Sequence, residues 1–147
     1  MTPAYDILYL ENARSVMATM LDFAVYELKY DLTAFFDMFL KSDIVQRFER
    51  GESGIVAGKS GIELAYEVIE EIKGAVERIP VKSVMNRSEE YWTGWALAYY
   101  QWETGYSFSY IVERVPIKEI KALYSPYHEM DILQFVDKMN EFLSRTE

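Results

Sequence analysis

The sequence predicts an all-α domain, and three observations carry that prediction. Apolar residues recur with helical spacing through most of the 147 residues. Serine or aspartate stands just before several of these runs, where helix N-caps belong. Glycine-rich and proline-containing stretches separate the runs. The expected architecture is about six to eight helices, with a short extended segment near residues 78–85. Residues 1–147 read as one helical domain, with 1–74 and 88–147 as optional sub-lobes joined by 75–87.

The first helix follows from Leu10, Ala13, Met17, Met20, Leu21, Ala24 and Leu28, which mark one apolar face. Asp31 offers an N-cap for a second helix, Leu32 to Leu40, whose bulk comes from Phe35, Phe36, Phe39 and Leu40. Asp43 stands as a cap for a short helix through Ile44, Val45 and Phe48 that ends near Gly51. Residues 51–61, GESGIVAGKSG, hold four of the seven glycines and read as a loop. Ser60 and Glu63 then form a capping-box pattern ahead of Ile62, Ala65, Val68, Ile69 and Ile72, which predicts a helix over 61–73.

Pro80 breaks the period within 74–87, and the Val/Ile pattern around it suits a short extended piece. Ser88 begins the next helix, with Glu89 and Glu90 at its positive end and Gly105 as its stop. Ser107 caps Phe108 to Arg114, and Pro116 opens a further helix that ends near Tyr124. Ser125 and Pro126 punctuate the chain again. The last helix spans about Met130 to Leu143, with Ile132, Phe135, Val136, Met139 and Leu143 on one face.

Composition removes whole classes of function. The net charge is -9, from 24 acidic and 15 basic side chains, which is wrong for a chain that grips nucleic-acid phosphates by itself. The acid is spread over both halves: residues 1–74 carry 13 acidic against 7 basic groups, and residues 75–147 carry 11 against 8. With no cysteine there is no disulfide framework, thiolate metal site or cysteine nucleophile. No apolar run approaches the roughly 18 residues that span a bilayer. The start, MTPAYDILYLENAR, lacks the basic and apolar segments of a signal peptide, so a cytoplasmic location is expected.

Motifs that carry chemistry are few. Gly58-Lys59-Ser60 has the end of a phosphate-binding loop, but its preceding glycine is misplaced and helix, not strand, precedes it. His128 is the only histidine; it has neither metalloprotease spacing nor a serine elbow to serve. No catalytic, cofactor-binding or metal-ligating residue is therefore expected. Glu63, Glu67 and Glu70 share one helix face, suited to a basic partner. Aromatic residues make up 16% of the chain, and Trp92, Trp95, Tyr99, Trp102 and Tyr106 form one continuous stripe. That stripe reads first as a core seam. Tyr91 and Tyr100, off the stripe, are the residues expected at an exposed contact. No Lys or Arg is interleaved between Glu89 and Tyr110, which disfavours base stacking.

Four strings, LENARSVMATMLDFAVYELKYDL (10–32), GKSGIELAYEV (58–68), NRSEEYWTGWALAYYQWETG (86–105) and YHEMDILQFVDKMNE (127–141), resemble the N-terminal region of a group of uncharacterised Firmicutes proteins. Longer members carry an Xre-type helix-turn-helix module after this region and are labelled antitoxin components of toxin–antitoxin systems. The present chain stops at Ser144-Arg145-Thr146-Glu147, where that module would begin. The resemblance implies that DNA binding belongs to another module. It further implies that this region binds a protein partner, such as the toxin, or itself. It brings no catalytic residues.

The expected function is thus a non-catalytic interaction module. Its candidate contacts are Tyr91, Trp92, Trp95, Tyr99, Tyr100, Trp102, His128, Glu63, Glu67 and Glu70. The competing expectations are a small-ligand receptor or enzyme built on the aromatic cluster with His128, and an acidic DNA mimic.

Overall fold

The computed structural model describes residues 2–79 and 88–145. Ten α-helices and one 3-10 turn form its regular structure, and no strand occurs among the described residues. After the turn at Ile7–Tyr9 come α1 (Leu10–Tyr26), α2 (Leu32–Lys41), α3 (Ile44–Glu49), α4 (Ser53–Val56) and α5 (Gly61–Lys73). The second half holds α6 (Glu89–Thr104), α7 (Phe108–Arg114), α8 (Ile117–Lys121), α9 (Tyr124–Tyr127) and α10 (Ile132–Arg145). The chain is all-α, as its periodicity predicts, but with more and shorter helices than six to eight.

The extra elements arise where glycine and proline interrupt the helical pattern of the sequence. Within the glycine-rich stretch, Ile55 and Val56 bury completely and draw one turn of helix, α4, onto the core. Ser125 and Pro126 lie inside α9, where proline is tolerated because the first helical turn needs no N–H from it. Asp43 does not cap α3 with its side chain. Instead its backbone N–H donates to the Glu71 carboxylate at 2.8 and 3.0 Å, tying α3 to α5. The expected extended segment near 78–85 falls mostly outside the described residues, and Arg78 and Ile79 belong to no helix.

The caps read from sequence are present elsewhere. Ser60 and Glu63 make the reciprocal capping box of α5. Asp31, Ser88 and Ser107 each accept an N–H from the first turn of α2, α6 and α7. Gly105 ends α6 in the left-handed conformation, with φ of 73°.

The centre of the molecule is α1. Eleven of its seventeen residues are buried, including Val16, Ala18 and Phe23, which lie off the single face that the sequence marks. The reason is that α1 is covered on two sides, chiefly by α6 and then by α5. A helix packed this way is apolar around most of its girth. Both halves of the chain contribute to one core cluster, in which Phe36, Phe39, Phe48 and Phe108 pack ring against ring, mostly edge to face.

Two glycines permit the close approach. A Cβ on Gly94 of α6 would sit 2.6 Å from the Met17 carbonyl oxygen and 2.8 Å from Ala18 Cα. One on Gly61 would lie 2.5 Å from the Val16 carbonyl oxygen and 2.6 Å from Met20 N. These obstacles are backbone atoms, so no side chain can swing aside. Polar contacts then set the register. Ser88 pairs with Asp22, Arg14 with the Trp95 carbonyl, and Trp102 with the Tyr5 carbonyl, so α1 and α6 run antiparallel.

Gly94→Ala is expected to destabilise the fold by roughly 3 kcal/mol, because overpacking here displaces a helix axis. Gly54→Ala, where a Cβ meets nothing within 4 Å, should change stability by less than about 1 kcal/mol. Urea denaturation of the two variants beside the parent checks the contrast.

Candidate interaction face

Buried residues surround most of α6. Trp92, Thr93, Gly94, Ala96, Leu97, Ala98, Tyr100, Gln101 and Trp102 all lie in the interior. Apart from Glu89 and Thr104 at its two ends, what remains partly open is one line at four-residue spacing: Tyr91, Trp95, Tyr99 and Glu103. The aromatic stripe of the sequence therefore divides into two. Trp92 is 8% exposed and meets Phe135 and Tyr124 edge to face at 5.3 and 5.8 Å. Trp102 is also core, its indole Nε1 donating to the Tyr5 carbonyl at 2.8 Å.

Tyr100 was expected at an exposed contact, and the structure places it fully inside. Its hydroxyl donates to Asn140 Oδ1 at 2.7 Å, which satisfies the polar end of a buried ring. Tyr91 is half-buried, like the rest of the line. The half-open aromatic surface on α6 is thus Tyr91, Trp95 and Tyr99.

Trp95 is held by Arg14, a residue outside the contacts expected from the sequence. The Arg14 guanidinium lies 3.3 Å from the Trp95 ring centroid and 4.9 Å from that of Tyr99. Its Nε donates to the Trp95 carbonyl at 3.2 Å, and Glu11 lies 3.5 Å from Nη1. Arg14 is 5% exposed, and that burial lowers its hold on the proton, with Glu11 opposing. The signal was in the sequence: Leu10, Arg14, Met17 and Leu21 follow helical spacing, so the arginine stands on the apolar stripe. A second buried charge, Glu90, accepts from the Tyr26 hydroxyl at 2.9 Å and pairs with Lys121 at 3.1 Å, fastening α8 to α6.

The three carboxylates on α5 do not form an open acidic face. Glu63 is spent in the capping box. Glu67 pairs with Lys59 at 2.6 Å, which also occupies the lysine of the Gly58-Lys59-Ser60 string. Glu70 pairs with Arg78 at 2.9 Å, and that hydrogen bond holds its carboxyl below the usual range. His128 lies away from this group. It stacks on Tyr124 at 4.0 Å, and its Nδ1 sits 2.7 Å from the Tyr124 carbonyl oxygen. No group of three or more metal-ligating side chains occurs among the described residues. No helix among them is long and apolar enough to cross a membrane.

Compared with protein-family models, curated proteins and solved structures, the chain matches none.

The lowered Glu70 gives a pH dependence of defined sign. Its contribution to stability is present above the unfolded carboxylate value of about 4.3 and is lost as pH falls through the folded value. Glu70→Gln should therefore flatten the stability profile between about pH 5 and pH 3 and leave the slope at pH 7 unchanged. Thermal melts across that range, read by circular dichroism, check it.

Proposed function

We propose that this chain is a non-catalytic, cytoplasmic protein-interaction module, the partner-binding part of an antitoxin-like or transcriptional-regulator-like protein. The observation that carries the reading is the Tyr91–Trp95–Tyr99 line. It is a row of large rings left partly open on a helix whose other faces are buried. Trp, Tyr and Arg dominate binding hot spots, because large rigid side chains exclude water at little cost in conformational entropy. Arg14 fixes the Trp95 ring in advance, which lowers that cost further.

Charge narrows the partner. Two copies of a chain with net charge -9 repel each other, whereas a basic protein such as a toxin is attracted. The resemblance to antitoxin-labelled proteins supports the same direction. The DNA-mimic alternative draws no support from Glu63, Glu67 and Glu70, since a cap and two cations already engage them.

Affinity-tagged chain expressed in its native host should retain a defined basic protein. Tyr91→Ala combined with Tyr99→Ala should reduce that retention by about tenfold or more, while the melting transition stays within a few degrees of the parent. A tagged chain that elutes alone, or a double variant that retains its partner fully, defeats the reading.

A further inference from the structure

Glu103 is the fourth position of the half-open line on α6, and it is also one wall of a groove. Tyr100 holds α10 alongside the end of α6: its ring meets Phe135 and its hydroxyl donates to Asn140. Between the two helices, Glu103, Thr104, Leu133, Val136, Asp137 and Asn140 line a cavity of about 490 Å³. That size lies in the range of about 300–1,000 Å³ that accepts ligand groups. Its charge is one-sided. Glu103 and Asp137 both face it, and neither carboxylate forms an ion pair or hydrogen bond among the described residues. Burial and the neighbouring Asp137 push the Glu103 carboxyl above its usual range. The adjacent Lys138 does not neutralise the pair, since it faces Glu141 at 3.6 Å and lies over the Phe142 ring. The last turn of α6 carries no basic residue, although a helix C-terminus favours a cation. The rest of the lining includes buried Val136 and the 51% exposed Leu133. An unpaired acidic groove with an apolar wall is complementary to a cation on an apolar stem.

We propose that this groove, continuous with the Tyr91–Trp95–Tyr99 line, receives an arginine side chain of a basic protein partner, with the guanidinium between the Glu103 and Asp137 carboxylates and the methylene stem on Leu133 and Val136. The inference rests on the partner-face reading and deepens it, because it specifies what the partner presents. Arginine suits the groove better than lysine, since its planar fork can donate to two carboxylates at once. A metal ion suits it less, because no third ligating side chain joins the two acids among the described residues. A second copy of the chain is opposed by the net charge of -9 on each.

The test is NMR titration of the isotope-labelled full chain with N-acetyl-leucyl-arginine amide and with its citrulline counterpart, which keeps the shape and lacks the charge. The arginine peptide should shift the amide signals of Glu103, Leu133 and Asp137 saturably, and the citrulline peptide should not. Glu103→Gln combined with Asp137→Asn should weaken the arginine peptide by about tenfold or more. The same variant should melt at or above the parent, because two carboxylates that repel each other are gone. Leu133→Ser, at an exposed site, should weaken the peptide several-fold and decides the matter should the double variant fail to fold. No saturable shift at the groove, equal binding of the citrulline peptide, or full binding by the folded variants each overturns the proposal. The two readings fail separately. Absence of any host partner defeats the face, whereas the peptide titration decides the groove. A host partner released by the Tyr91 and Tyr99 substitutions but fully retained by Glu103→Gln with Asp137→Asn overturns the groove and leaves the face.

Discussion

The close passage of α6 and α5 over the backbone of α1 is the constraint on which the rest of the structure depends. Gly94 and Gly61 stand where any larger residue would meet main-chain atoms of α1. Alanines line the same helices: Ala13, Ala18 and Ala24 on α1, Ala65 on α5, Ala96 and Ala98 on α6, all fully buried. Small residues bring helix axes together, and the larger side chains then interdigitate at their flanks. Because α1 is held on two sides, the short helices α2, α4 and α8 need only fasten onto an existing core. A four-residue helix such as α4 has no stability of its own; its Ile55 and Val56 supply the reason it forms.

A seam this apolar fixes distance better than register, and the polar groups placed along it supply the register. Ser88 caps α6 and donates to Asp22 on α1, so one hydroxyl sets both where the helix starts and how far along α1 it lies. Further along, Arg14 reaches the Trp95 carbonyl, and the Trp102 indole reaches Tyr5. At the other end, Tyr26 meets Glu90. Burial drives ionisation of the Tyr26 hydroxyl up to about 12, and the hydrogen bond to Glu90 adds to that effect. Buried polar pairs contribute little net stability against apolar substitutes, but sliding the helices would leave each of these groups unpaired. The seam therefore tolerates one alignment.

The fold was legible to the extent that local chemistry decided it. The Ser60–Glu63 box, the Ser88 and Ser107 caps and the Gly105 stop are properties of neighbouring residues, and each stands where the sequence puts it. What stayed hidden depended on contacts between distant segments. Asp43 has the right position and residue type for a cap, yet Glu71, far along the chain, engages its backbone instead. The aromatic stripe showed that α6 was special but not which rings faced outward, because that depends on where α1, α9 and α10 pack. Tyr100 and Tyr91 stand nine residues apart on one helix, about half a turn apart in rotation about its axis. One is core and the other half-open.

The charges follow the same logic. An excess of acid suggested open carboxylates awaiting a basic surface, and the helix face of Glu63, Glu67 and Glu70 was the natural place to expect it. In the folded chain the scarce cations are directed to those positions: Lys59 to Glu67 and Arg78 to Glu70. Arg47 and Arg50 likewise converge on Glu52. Local pairing leaves the net charge unchanged, so the long-range negative field survives while Glu67 and Glu70 of that face are paired and Glu63 is engaged in a cap. Long-range attraction and the contact itself are thus assigned to different features. Under the proposed reading, the diffuse negative field would govern approach, and the aromatic line on α6, braced by Arg14, would supply the contact surface.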